Sequence, residues 1–290
     1  ALALGLALAE GSGVPSVELP DGVQMPMLAF GSWPGSLKGC TVADGVKQWL
    51  MLGGRHIDTA NDYHTQPDVG AAIRKVGVPR SEIFLTTKIP GPIGKQAAMD
   101  MVLNVSLPSL GVDYLDLVLI HFPCIEDKLF PNKCGAEEHA QRVDTWGGLL
   151  ELKKRGKIRA VGVSNFDADQ LATLAAASGV TPAVNQVEWH LGYHNETLLG
   201  AMKTHGVVLE AWGSLTGPTA SNPGVSLSDP RLEDVAGRYF ASTAQVALRW
   251  SVHKGVAPVT ATCDADHAKG DLAAFAFDLS AEDMALLDGL

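Results

Sequence analysis

The sequence predicts an α/β protein, a (β/α)8 TIM barrel with an N-terminal β-hairpin, on three observations. Eight short apolar, β-branched runs alternate with longer amphipathic segments rich in Ala and Leu, the order that builds a parallel sheet covered by helices. No G-x-G-x-x-G follows the first run, where an open, doubly wound dinucleotide fold would carry it. Asp21-Gly22 sits between two extended runs ahead of the first barrel strand, a strong hairpin signal.

Along the chain, residues 16–25 form the hairpin, placed to plug the N-terminal end of the barrel. Strands are expected at 27–31, 55–58, 83–89, 115–122, 158–163, 183–187, 207–212 and 256–260, each a run of β-branched or other apolar residues. Helical periodicity recurs between them at 42–51, 66–74, 95–110, 142–154, 168–176, 196–204 and 242–253. Eight units without a break suggest closure, and barrels of about 250 residues routinely form one domain. The chain therefore divides into an N-terminal extension over 1–13 and a single barrel over 14–290. The Gly-, Pro-, Ser- and Asn-rich stretch 213–230 is a candidate lid, since long connections in compact domains are usually functional or disordered.

Composition narrows the function. With 46% hydrophobic and 19% charged residues the chain can bury a large core, and no stretch reaches the roughly 20 apolar residues of a membrane span. A net charge of -10, with 22 scattered Lys and Arg, excludes the clustered positive field that nucleic acid requires. Cys40, Cys124, Cys134 and Cys263 lack paired CxxC spacing and read as free thiols of a reducing, cytoplasmic protein; a local Cys124–Cys134 bridge is the alternative. The apolar ALALGLALAE, with Ala-x-Ala at Ala7 to Ala9, resembles the end of a signal-peptide core and leaves organellar or secretory targeting open. A short helix or disordered lead-in is the plainer reading of it.

Such a barrel collects its active site at the C-terminal ends of the strands, where the βα loops converge. Those positions hold Ser32 and Trp33, Asp58, Lys88, His121, Ser164 with Asn165, Gln186 and Trp212, and Tyr63 follows five residues after Asp58. Singly, each has an ordinary role: a helix cap, a snorkelling lysine, a core histidine, a packing aromatic. Together, an acid, a lysine, a histidine and a tyrosine at the mouth of one cavity form a proton-transfer set.

Four segments, G-G-R-H-I-D-T-A-N-D-Y (53–63), L-T-T-K-I-P (85–90), L-V-L-I-H-F-P (117–123) and G-K-I-R-A-V-G-V-S-N-F (156–166), resemble the aldo-keto reductase family, in its order, over roughly 14–290. The resemblance implies NAD(P)H-dependent reduction of a small-molecule aldehyde or ketone to an alcohol, with no metal. It makes Tyr63 the general acid, with Asp58 holding Lys88 and His121 orienting the carbonyl. A neighbouring ammonium favours phenolate, so Lys88 is expected to ease release of the Tyr63 proton. Ser164, Asn165 and Gln186 would bind the nicotinamide carboxamide, and Trp212 stands where the family usually stacks a tyrosine on the ring. Gly31, Ser32 and Trp33 would line the cofactor side, and the backbone of Gly213, Ser214 and Leu215 the pyrophosphate. Trp33 and Phe122 would form an aromatic wall for substrate.

One motif departs from the family. The grip on the adenosine 2′-phosphate usually reads I-P-K-S and then arginine, but here it is Val259-Thr260-Ala261-Thr262 and then His267. Losing two charge-assisted bonds weakens phosphate binding by about 10² to 10⁴, and Asp264 adds repulsion. NADP(H) is the cofactor by resemblance; NAD(H) is the alternative because Ala261 and His267 replace the usual contacts, with Thr262 keeping the hydroxyl. Two functional readings follow: an active reductase, or a barrel retired from catalysis and kept as a structural or regulatory subunit. Retention of the whole tetrad favours the enzyme. Whether the chain acts as a monomer or as a partner subunit is open.

Overall fold

The structure, a computed structural model, describes residues 7–8, 13–124, 136–217 and 224–290. Strands β1 (Ala7–Leu8), β2 (Pro15–Leu19) and β3 (Val23–Pro26) form an antiparallel sheet, so part of the N-terminal extension is in a strand. The expected hairpin turns through Pro20–Gly22, where Gly22 takes φ 73°, the left-handed position a three-residue hairpin loop demands. Then come β4 (Ala29–Gly31), β5 (His56–Asp58), β6 (Phe84–Ile89), β7 (Leu115–Ile120), β8 (Ile158–Ser164), β9 (Val184–Glu188), β10 (Val208–Trp212) and β11 (Val256–Thr260). They close in the order β10-β11-β4-β5-β6-β7-β8-β9, every registered pair parallel.

Alternation along each strand sorts the side chains into two cores. Val118, Ile120, Val161, Val163, Leu209 and Ala211 face outward and pack with helix residues such as Trp49, Val69, Val102 and Trp146. Leu117, Leu119, Ala160, Val184 and Ala257 face inward and pack against Val17, Leu19, Val23 and Met25 of the hairpin, which closes the barrel floor as expected. Tight packing leaves no room for a side chain at Gly162, where a Cβ would lie 2.6 Å from the Val184 carbonyl oxygen.

Helices Val42–Met51 and Glu196–Thr204 take their expected limits. In the first, burial of Val42, Val46, Trp49 and Leu50 follows the helical repeat, and the Thr41 side chain accepts from the Asp44 amide to cap its start. Ser242 and Gln245 form a capping box at the start of Thr243–His253. The expected run 95–110 is interrupted by a π-helical segment, Met101–Ser106. Pro230–Arg238 and Ala265–Leu272 are helices that periodicity did not show.

The reading of four free thiols is overturned. Cys40 and Cys263 are disulfide-bonded across 223 residues of sequence, and Cys124 is disulfide-bonded too. Cys134, the partner expected for Cys124, lies outside the described residues. The long-range bridge was invisible because its two loops meet only when the first and last barrel strands pair, at Ala29–Val259 and Phe30–Thr260. Among the described residues no helix is long and apolar enough to cross a membrane.

Candidate active site

Asp58 ends β5 and Lys88 lies near the end of β6, both pointing into the barrel mouth. The Lys88 Nζ donates to Asp58 Oδ1 at 2.6 Å and Oδ2 at 2.8 Å, and to the Thr59 carbonyl at 3.2 Å. Burial works against the Lys88 charge, but Asp58 and Tyr63 outweigh it and hold its pKa above the usual lysine range. Beyond β5 the chain makes a 3-10 turn, Asn61–Tyr63, ended by His64 in the left-handed region at φ 57°. That turn brings the Tyr63 Oη to 3.3 Å from Lys88 Nζ, the ammonium donating.

His121 follows β7, its amide donating to the Ile89 carbonyl and its ring 5.7 Å, edge to face, from that of Tyr63. Burial depresses its pKa, so the imidazole is neutral at pH 7. Phe122 stacks on it at 4.3 Å, and Trp33, 48% exposed, lies edge-on to Tyr63 at 5.0 Å. The four tetrad residues are thus assembled as expected, with both aromatic neighbours at their side.

One electrostatic expectation is corrected. Lys88 does pull the Tyr63 phenol downward, but burial is the larger influence and the net direction is up from 10.0. Tyr63 therefore keeps its proton at neutral pH. Because Lys88 occupies a lone pair of the phenol oxygen, the hydroxyl hydrogen is left for another acceptor.

Around the tetrad, Ser164 donates to the Gln186 carbonyl at 2.7 Å, and Asn165 Nδ2 donates to the His121 carbonyl at 3.0 Å and to Ser164 Oγ at 3.1 Å. Asn165 sits at φ 63°, a conformation asparagine tolerates well. Its Oδ1 accepts from Trp212 Nε1 at 3.0 Å, which fixes the indole across the end of β10. Asn165, Gln186 and Trp212, with Gly31, Trp33, Gly213, Ser214, Leu215 and Ala261, line one cleft of about 1770 Å3 that also holds Tyr63 and His121, and Ser164 lies buried behind it.

A model of the aldo/keto reductase family matches residues 27–290. The chain belongs to that family. A Mycolicibacterium vanbaalenii protein named aldo-keto reductase is 38% identical over 96% of this chain and 92% of its own. Morphine 6-dehydrogenase of Pseudomonas putida is 34% identical over 95% and 91%. Among solved structures, an aldo/keto reductase from Brucella melitensis superimposes with a TM-score of 0.82 at 32% identity, covering 95% of this chain and 99% of that one. A Bombyx mori aldo-keto reductase crystallised with NADP gives 0.84 at 29%, covering 95% and 92%. The chain is accordingly an NAD(P)H-dependent oxidoreductase with the aldo-keto reductase barrel.

The reductase departs from the sequence reading at the far end of the cleft. Ala261 lines it, but Thr262 and His267 do not, and His267 is exposed. Asp264 caps the helix Ala265–Leu272: its Oδ1 accepts from the amides of Asp266 at 2.8 Å and His267 at 2.9 Å. The amides that an anion would seek at a helix N-terminus are thus already bound to a carboxylate of the chain itself.

Two residues escaped the sequence reading. Asp62, beside Tyr63, lies 3.6 Å from His121 Nδ1, beyond hydrogen-bond reach but close enough to act on its charge. Glu210, two residues before Trp212, is fully buried inside the barrel, where burial and then the Asp58 charge raise its pKa to about 8. A glutamate within V-V-L-E-A-W, on the same alternation as Trp212, was the available signal.

Proposed function

We propose that this reductase converts small-molecule aldehydes or ketones to alcohols, with Tyr63 donating the proton to the carbonyl oxygen. The observation that carries the proposal is the Asp58–Lys88–Tyr63 relay: a buried ammonium held by two short bonds donates to the phenol oxygen and leaves the phenol hydrogen for substrate. As negative charge develops on the carbonyl oxygen, Lys88 stabilises the phenolate that Tyr63 becomes. Neutral His121, facing the same space, is placed to orient the carbonyl, and Trp33 and Phe122 supply an apolar wall.

The nicotinamide cofactor supplies hydride when bound. The cleft has room for it beside a substrate, being larger than the 300 to 1,000 Å3 usual for a small ligand. On this reading Asn165 and Gln186, which line the cleft, hold the carboxamide, with Ser164 hydrogen-bonded to both, while Trp212 stacks on the ring and the 213–215 backbone meets the pyrophosphate. Relatives crystallised with NADP support that dinucleotide. The chain's own far end supports NAD at least as well, because Ala261, exposed His267 and the Asp264 cap offer a 2′-phosphate no fixed cation. As to setting, the disulfides at Cys40–Cys263 and Cys124 support an oxidising compartment.

Fluorescence titration with NADPH and with NADH tests this reading, followed by assay of an aldehyde and ketone panel. Binding of at least one dinucleotide and turnover of some carbonyl are expected. The double variant Ala261→Lys/His267→Arg should shift preference toward NADPH by about 10². Binding of neither dinucleotide overturns the functional reading.

A further inference from the structure

Glu210 is a carboxyl that the proton relay does not use. It is 0% exposed, opposite Gln186 in the β9–β10 register, and its Oε2 accepts from Gln186 Nε2 at 2.7 Å. The same Nε2 donates to Asp58 Oδ2 at 2.9 Å. Both amide hydrogens of Gln186 are therefore spent on carboxyl groups, one from β10 and one from β5, and the only group this side chain can still offer the cleft is its Oε1 acceptor.

The other oxygen of Glu210, Oε1, has no hydrogen-bond partner and lies 3.6 Å from His56 Nε2. That approach is not an ion pair. His56 Nδ1 lies 3.0 Å from the Pro26 carbonyl, which can only accept, so Nδ1 carries the hydrogen and Nε2 is the lone-pair nitrogen, receiving the Thr86 hydroxyl at 2.9 Å. Burial holds the His56 pKa down at about 4. The charged and titratable groups facing Glu210 are thus Asp58 and neutral His56 of β5 and Lys88 of β6, whose charge is already taken by Asp58. The Gln186 amide and Lys88 favour the Glu210 charge, but burial and the Asp58 charge outweigh them, so the carboxyl keeps its proton at neutral pH.

We propose that Glu210 is a positioning residue for the nicotinamide: sharing the Gln186 amide with Asp58, it fixes Gln186 Oε1 toward the cleft as acceptor for the cofactor's carboxamide NH2. The inference rests on the cofactor reading given above. It has an electrostatic consequence that simple packing lacks. Neutral Glu210 leaves the inner end of the site with no net charge beyond the Asp58–Lys88 pair. Ionised Glu210 adds one negative charge a single amide away from the carboxamide, which favours the cationic, oxidised nicotinamide over the neutral, reduced one.

Two variants and one probe pair test this, with NADH and NAD+ titrated separately by tryptophan fluorescence. Glu210→Leu removes the acceptor and frees the Gln186 amide to turn, so reduced-cofactor affinity should fall about tenfold while the circular dichroism spectrum is kept. Glu210→Gln keeps an acceptor for Gln186 and cannot ionise, so it should bind NADH like the parent at pH 7. In the parent the preference for NAD+ over NADH should rise about tenfold as Glu210 ionises between roughly pH 7 and 9, and Glu210→Gln should abolish that rise. Unchanged NADH affinity in Glu210→Leu, or the same pH-dependent rise in Glu210→Gln, overturns the proposal while leaving the functional reading intact. Should Glu210→Leu fail to fold, the Glu210→Gln comparison decides alone. A parent that binds only the phosphorylated pair is titrated with NADPH and NADP+ instead, and one that binds neither pair at any pH overturns both.

Discussion

Removing the Cys40–Cys263 bridge, as the Cys40→Ser/Cys263→Ser variant, should cost the barrel a measurable part of its stability. The bridge joins the loops that leave β4 and β11, the first and last strands of the barrel, which share only two registered residue pairs. It closes a loop of 223 residues, and the chain-entropy relation for a loop that long gives about 5 kcal/mol. Spread over a chain of 290 residues, at about 2.1 cal/mol/K of unfolding entropy per residue, that is a fall in Tm of roughly 9 °C. Scanning calorimetry of parent and variant, both without reductant, reads the difference directly. Alkylation of the unreduced, denatured parent should leave Cys40, Cys124 and Cys263 unlabelled, since all three are bonded. A variant whose Tm stays within about 2 °C of the parent, or a parent labelled at those cysteines, would refute the reasoning.

Two further substitutions test buried charge. Asp58→Asn leaves the fully buried Lys88 ammonium without its counter-charge, so unfolding free energy in urea should drop by about 3 to 5 kcal/mol and turnover should collapse with it; a loss under about 1 kcal/mol would show the pair contributes little. Asp271 accepts from Thr260 Oγ1 at 2.9 Å in a buried site that raises its pKa from 3.8 to about 6. A carboxyl held upward stabilises the fold fully below its unfolded pKa, and that contribution is lost as pH rises through the folded value. Asp271→Asn should therefore flatten stability between about pH 4 and 6 and raise it at pH 7 by about 3 kcal/mol, read from urea midpoints; an unchanged pH profile would sink the assignment.

Much of this was legible in the sequence for identifiable reasons. Barrel strands carry apolar residues on both faces, so all eight appeared as dense runs, and because strand ends converge on one mouth, listing them was enough to find Asp58, Lys88, His121 and Gln186. Tyr63 came with its short spacing from Asp58. What escaped depends on closure or on environment. The Cys40–Cys263 pair is adjacent only after the first and last strands meet. The helix Ala265–Leu272 buries only Ala268 and Asp271, too little to leave a periodic signature. The Tyr63 phenol was expected to be pulled down by Lys88, but the degree of its burial, which decides the direction, is not written in spacing. Glu210 was absorbed into an apolar run whose inward alternation would have singled it out.

The central claim is that Tyr63, primed by Lys88, gives the proton. Tyr63→Phe keeps the ring that packs against Trp33 and His121 and removes only the hydroxyl. Turnover of the best carbonyl substrate, measured beside dinucleotide affinity on the same sample, tests it most directly. In Tyr63→Phe kcat should fall by about 10² to 10⁴ with cofactor Kd within about twofold of the parent. Turnover close to that of the parent would contradict it.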